Sequence, residues 1–258
     1  MLTEKLSRKR KLFAALLMTA GLTTVISALG IPAAAERVVP KGAACCAGEL
    51  QGAMLPLELG KALDQGKVIP LPKGKLLDLG GPKTSCAFTG LRAMLGADNL
   101  FLVSYSFLNF FLFQFLVGSR RLRPAFFWCL AGTVLSVVML VSDALENWAL
   151  YQWIDHFPAP PSSFLNPATS SKWTALALAA LFCGVAYLFQ RPPLLKLLIL
   201  PAALCAGLFA VGVYDPNVDQ VKFIKMGVLF LNVLWGCGLL HAIAVILQPA
   251  LPTEPSHV

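Results

Sequence analysis

Residues 125–147, AFFWCLAGTVLSVVMLVSDALEN, give the clearest indication of the fold class of this chain. Residues 125–142 carry no charge, and a helix of that length crosses roughly 30 Å of hydrocarbon. Asp143, Glu146 and Asn147 follow directly at its end. Because ionisable groups at membrane depth are costly, an acidic pair in this place indicates a functional feature.

Five further stretches without a charge follow the same pattern, at residues 12–35, 99–119, 173–190, 197–214 and 226–253. Only 13% of the chain is charged and 57% is hydrophobic, whereas soluble domains are about 25% charged. A soluble enzyme, a disordered tail and a secreted disulfide scaffold are excluded. The sequence predicts an all-α fold, a polytopic integral membrane bundle of six transmembrane helices.

The basic residues predict the orientation, since Lys and Arg collect on the cytoplasmic side of membrane proteins. The loops on one side hold Lys5, Arg8, Lys9, Arg10, Lys11, Arg120, Arg121, Arg123, Arg191 and Lys196, whereas the short loops on the other side hold Lys172, Lys222 and Lys225. Both termini are therefore predicted to be cytoplasmic. The net charge of +8 falls entirely on that side, so it is an orientation signal and predicts no nucleic-acid partner.

Four regions are predicted along the chain. Residues 1–31 form a basic N-terminus and a first transmembrane helix, and residues 32–97 an exported loop region that caps the bundle. Residues 98–248 form a five-helix transmembrane bundle, and residues 249–258 a cytoplasmic tail. The first helix is interpreted as an uncleaved signal anchor, because its apolar stretch exceeds the 7–15 residues of secretory signals. The small residues 33–35 keep a cleaved signal open as the alternative. Pro201 predicts a kink in the fifth span.

The exported loop region contains Cys45, Cys46 and Cys86. An oxidising compartment favours a disulfide from Cys86 to one of the adjacent pair, and the alternative is that all three stay reduced. A metal site is not predicted, because the loop contains no histidine and its cysteine spacing fits no zinc motif. No cofactor is predicted either.

Polar side chains gather in the predicted outer half of the membrane. Asp143, Glu146 and Asn147 stand at positions i, i+3 and i+4, so they share one helix face. Intervals of seven and eleven residues place a second polar set on one face of the preceding span. We predict that these faces turn inward, although such clusters also serve as contacts between helices. The candidate ligand-binding residues are Asp98, Tyr105, Asn109, Asp143, Glu146, Asn147, Lys172 and Lys225.

Three short motifs resemble a group of bacterial polytopic membrane proteins of unknown function. In that group Asp-x-x-Phe-x-x-x-Tyr opens one span, Asp-x-x-Glu-Asn closes the next, and a lysine opens the one after. The matching residues here are Asp98, Phe101 and Tyr105, then Asp143, Glu146 and Asn147, then Lys172. The resemblance covers about residues 95–190, and loops 42–86 and 155–171 have no counterpart in it. The resemblance implies that these polar residues form a functional site, and it implies no particular activity.

The sequence favours a protein that binds or transports a small molecule or lipid through an outward-facing intramembrane polar pocket. One alternative is an accessory or scaffold subunit of a membrane complex, and another is a lipid-modifying enzyme that uses Asp143 and Glu146. No catalytic motif is present, so a non-enzymatic role is favoured. The expected partners are the lipid bilayer, a lipid or small-molecule ligand, and a membrane-protein partner or second copy. The expected location is the bacterial inner membrane.

Overall fold

The computed structural model describes residues 2–38, 69–70, 76–77, 84–117, 123–156, 163–190, 193–215 and 220–248. These residues form six α-helices: α1 Leu2–Val38, α2 Thr84–Val117, α3 Arg123–His156, α4 Leu165–Leu188, α5 Ile199–Tyr214 and α6 Gln220–Leu247. A short 3-10 helix, Pro193–Leu198, leads into α5. Strands β1 (Ile69–Pro70) and β2 (Leu76–Leu77) pair antiparallel, with Ile69 opposite Leu77.

Helices α1, α2, α3, α4 and α6 each contain a segment that is long and apolar enough to cross a membrane, and α5 does so together with the 3-10 helix before it, over Pro193–Tyr214. The predicted all-α bundle of six transmembrane helices is therefore confirmed, and the chain is an integral, multi-pass membrane protein. In lipid every backbone polar group needs an internal partner, which a continuous helix supplies.

Five of the six described helices run beyond the spans that the charge-free stretches predict, and among them α1 begins at Leu2 and α6 at Gln220. α2 begins at Thr84, α3 continues to His156, and α4 begins at Leu165. Charge-free length measures only the part of a helix that hydrocarbon can cover, whereas backbone hydrogen bonding continues into polar sequence. The region predicted as an exported loop, residues 32–97, consequently includes the end of α1 and the start of α2. Cys45 and Cys46 lie outside the described residues, so the bridge from Cys86 stays a prediction.

Pro201 lies in the first turn of α5, which begins at Ile199. The first amides of a helix have no acceptor within the helix, so a missing N–H costs nothing there. The kink predicted at Pro201 is therefore not required. The chain instead enters α5 directly from the 3-10 helix that starts at Pro193.

The six helices form a closed ring. Each packs against its neighbour in sequence, and α1 also packs against α6. Aromatic side chains fill the interior, with Phe113, Phe115, Tyr187 and Phe209 fully buried. Gly132 of α3 lets α2 approach closely, because a Cβ there would lie 2.2 Å from the Phe113 ring.

The outer surface of α3 is a continuous apolar ridge, which a bilayer would cover. Its exposed side chains include Phe126, Leu130, Val134, Val137 and Val141. The opposite face of the same helix carries the buried residues Ser136, Asp143, Glu146 and Asn147.

Candidate functional site

Lys172 lies between two carboxylates that α3 presents to α4. Its Nζ donates to Asp143 Oδ1 at 2.9 Å and to Glu146 Oε1 at 2.6 Å. All three side chains are buried, with 8%, 3% and 2% of Lys172, Asp143 and Glu146 exposed. The i, i+3 spacing on α3 places both acids on the face toward α4, so one ammonium serves two acceptors.

Tyr105 of α2 completes the coordination of Asp143. Its hydroxyl donates to Asp143 Oδ2, while Oδ1 accepts from Lys172. Both oxygens of Asp143 therefore have a donor. Since Tyr105, Asp143 and Lys172 belong to three different helices, this chain of hydrogen bonds joins α2, α3 and α4.

Asp98 is the first residue of the polar face of α2, and it contacts α3 through Asn147. The Asn147 amide donates to Asp98 Oδ2 at 2.9 Å and to Asn99 Oδ1 at 3.0 Å. An amide nitrogen carries two protons, so both bonds can form together. Asn99 was not among the predicted residues; its only sequence signal is its place beside Asp98.

Glu146 is the least satisfied acid of the cluster. Its Oε2 is buried and makes no hydrogen bond. Thr169 lies close to the same carboxylate, but its single hydroxyl proton is donated to the Leu165 carbonyl, 3.0 Å away. A buried acceptor without a donor is costly unless a further group supplies one.

Asn109 lies behind the cluster and links α2 to α6. Its amide donates to the Tyr105 carbonyl at 3.0 Å, and its Oδ1 accepts from Trp235 Nε1 at 3.1 Å. The Trp235 and Tyr105 rings stack with centroids 6.3 Å apart. Trp235 was not predicted as a site residue, although a tryptophan inside an apolar span needs an acceptor for its one donor.

A cavity of about 760 Å³ adjoins these groups and is lined by α1, α2, α3, α4 and α6. The rest of its wall is largely apolar and includes the rings of Phe101, Trp173 and Trp235. Its polar wall brings together six of the eight predicted residues: Asp98, Tyr105, Asp143, Glu146, Asn147 and Lys172.

The other two predicted residues do not line the cavity. Asn109 lies one turn beyond Tyr105, where it holds Trp235. Lys225 is exposed near the start of α6. Lys225 is thus a predicted ligand-binding residue that does not line this cavity.

The cavity opens at the seam between α1 and α6. Val25 and Leu29 of α1 line it and are 55% and 69% exposed, and Asn232 of α6 also lines it and is exposed. Towards the other end of the bundle, side chains of α1 contact the end of α6. There Arg10 Nη2 lies 3.3 Å from His241 Nε2. The open part of the seam is in the predicted outer half.

Among the described residues, no group of three His, Cys, Asp or Glu side chains is arranged to hold a metal ion. The acids of the cluster are spread along two helices, and Lys172 occupies the space between two of them. The arrangement can hold a polar group by hydrogen bonds and charge, with an apolar portion against the remaining walls.

Comparison with known proteins does not extend this description: no protein-family model, curated protein or solved structure matches the chain. The resemblance of its three motifs to a group of bacterial membrane proteins stays a prediction.

Proposed function

We propose that this protein binds an amphipathic small molecule or lipid in the cavity between α1, α2, α3, α4 and α6. The observation that carries the proposal is the cavity itself. Its volume of about 760 Å³ lies within the range of roughly 300–1,000 Å³ typical of ligand sites. Such sites combine apolar walls with a few convergent polar groups, and this cavity has that composition.

The open seam between α1 and α6 supports a ligand that arrives from the bilayer. Val25 and Leu29 face both the cavity and the surroundings of the bundle. A lipid or other amphiphile could therefore move sideways from the membrane to the polar wall. In the predicted orientation its source is the outer leaflet.

Lys172 is not available to bind an anionic group of a ligand. Two carboxylates already share its Nζ, and the same contacts disfavour Asp143 and Glu146 as a catalytic acid–base pair. Binding, with or without transport across the membrane, is the function that this geometry supports best.

Gly236 offers a direct test. It lines the cavity, and a Cβ built on it meets no atom within 4 Å. Gly236→Leu should therefore fill the cavity without disturbing the fold. Gly207 on α5 has the same free space without lining the cavity, so Gly207→Leu is the matched control.

The measurement is native mass spectrometry of the protein released from nanodiscs of bacterial lipid. We expect wild type and Gly207→Leu to retain a small molecule or lipid that Gly236→Leu loses. If all three forms carry the same adducts, or none carries any, the proposal is wrong. A protein partner retained equally by all three would instead favour the scaffold alternative.

A further inference from the structure

The formal charges of the residues that line the cavity do not balance. Asp98, Asp143 and Glu146 line it with three carboxylates, and Lys172 is the one cation among its described lining residues. Arg92, at the same end of the bundle, is paired with Asp155. Uncompensated charge is costly in a low-dielectric space, and a bound cation would offset it.

The hydrogen bonds of the cluster indicate that the polar group of the ligand is a hydrogen-bond donor. Both oxygens of Asp143 accept hydrogen bonds, and Glu146 Oε1 accepts from Lys172. Glu146 Oε2 has no donor, although the side chain is 2% exposed and lines the cavity. A hydroxyl or an ammonium could supply the donor, but of these only an ammonium also offsets the charge.

The aromatic rings of the cavity suit an organic cation. Phe101, Tyr105, Trp173 and Trp235 all line it, and ring faces attract ammonium groups within about 6 Å. Lys172 Nζ already lies 5.1 Å from the centre of the Trp173 ring. A metal ion fits less well, since within the described part of the chain the acids do not converge on a single point.

We propose that the ligand of this cavity is a protonated amine on an apolar chain, with its N–H groups directed to Glu146 and Asp98. The inference rests on the proposed binding function and specifies its ligand class. A protonated amine is favoured over a quaternary ammonium because Glu146 Oε2 requires an N–H. The apolar chain would lie toward the seam between α1 and α6.

The test compares three probes with the same twelve-carbon chain: dodecylamine, dodecanol and dodecyl phosphate. Each is added in radiolabelled form at pH 7 to protein in phosphatidylcholine nanodiscs, and uptake by empty nanodiscs is subtracted. We expect dodecylamine to bind at least tenfold more tightly than dodecanol, and dodecyl phosphate to bind most weakly.

Two substitutions locate the selectivity. Glu146→Gln keeps an oxygen for Lys172 and should weaken dodecylamine binding about tenfold to hundredfold, the effect of losing a hydrogen bond to a charged group. Asp98→Asn keeps an acceptor for Asn147 and should act in the same direction if Glu146→Gln fails to fold. Dodecanol binding should change less than twofold in both. Asp155→Asn, an exposed acid paired with Arg92, is the matched control and should behave as wild type.

The outcomes separate the two proposals. If dodecanol or dodecyl phosphate binds as tightly as dodecylamine, the amine assignment is wrong and the binding function stands. If dodecylamine is preferred but both acid variants keep that preference, the assignment to this cluster is wrong. If no probe binds above empty nanodiscs and Gly236→Leu removes no adduct, both proposals fail.

Discussion

Replacing Lys172 with methionine removes the one ammonium that two buried acids share. Methionine has nearly the length and volume of lysine, so packing against Trp173 should change little. The perturbation therefore isolates the charge. Asp143 Oδ1 and Glu146 Oε1 each lose a donor, at 2.9 Å and 2.6 Å in the folded protein.

The expected cost follows from the burial of the groups left behind. Removing one partner of a buried ion pair costs about 3–5 kcal/mol, because the remaining charge is uncompensated. At about 1.4 kcal/mol for each factor of ten, the ratio of folded to unfolded protein should fall more than a hundredfold. Asp143 keeps the hydrogen bond from Tyr105, so most of the cost should come from Glu146.

Equilibrium unfolding in mixed micelles, with sodium dodecyl sulfate titrated into a mild detergent, measures this difference through helicity. The triple variant Lys172→Met, Asp143→Asn, Glu146→Gln removes the unpaired charges as well. It should be more stable than Lys172→Met by about 2 kcal/mol or more, since charge burial costs several kcal/mol per ion. Lys222→Met, at the same end of the bundle but exposed, should stay within about 0.5 kcal/mol of wild type.

Two results would contradict this role of Lys172. Lys172→Met could lose less than about 1 kcal/mol, the range of exposed ion pairs. Alternatively, the triple variant could be no more stable than the single one, which would show that lost packing rather than unpaired charge sets the cost.

Three further predictions address packing, hydrogen bonding and orientation. Gly132→Ala should lose about 1–3 kcal/mol in the same unfolding assay through overpacking against a buried ring, while Gly207→Ala, which has open space, should be neutral or stabilising. Tyr105→Phe should cost about 1.5–3 kcal/mol by leaving the buried Oδ2 of Asp143 without a donor. Tyr214→Phe, whose hydroxyl bond is exposed, should cost less than about 0.5 kcal/mol, and equal losses would contradict this. In a cysteine-free background, Ser163→Cys should react with membrane-impermeant maleimide in intact cells, and labelling only after lysis would reverse the predicted orientation.

The helices could be predicted from the sequence because hydrocarbon imposes one simple condition, a long stretch without charge. The ends of the helices could not. Thr84 and Leu165 begin helices in polar sequence, where water competes for hydrogen bonds and no single physical term decides the boundary. The place of Pro201 in a first turn likewise depends on where α5 starts.

Helical spacing predicted which site residues share a face of one helix. It could not predict which residues of different helices meet. The i, i+3, i+4 pattern correctly groups Asp143, Glu146 and Asn147 on one buried face. Which lysine meets that face depends on how neighbouring helices are placed and rotated. Lys172 and Lys225 are the same residue type at the same predicted depth in the membrane. Only Lys172 lies on a helix next to α3. Trp173 and Trp235, which also line the cavity, were not predicted as site residues for the same reason.

The two faces of α3 have a consequence for how the bundle assembles. Inside a bilayer, a helix that is apolar on every side has no hydrophobic preference for one rotation about its axis over another. The ridge of α3 from Phe126 to Val141 could therefore face lipid or protein at similar cost. The acids at 143 and 146 remove that ambiguity, because only one rotation brings both to an ammonium. Lys172 therefore fixes the rotation of α3 about its own axis. Neutralising Lys172 should yield bundles in which α3 adopts mixed rotations and which are also less stable.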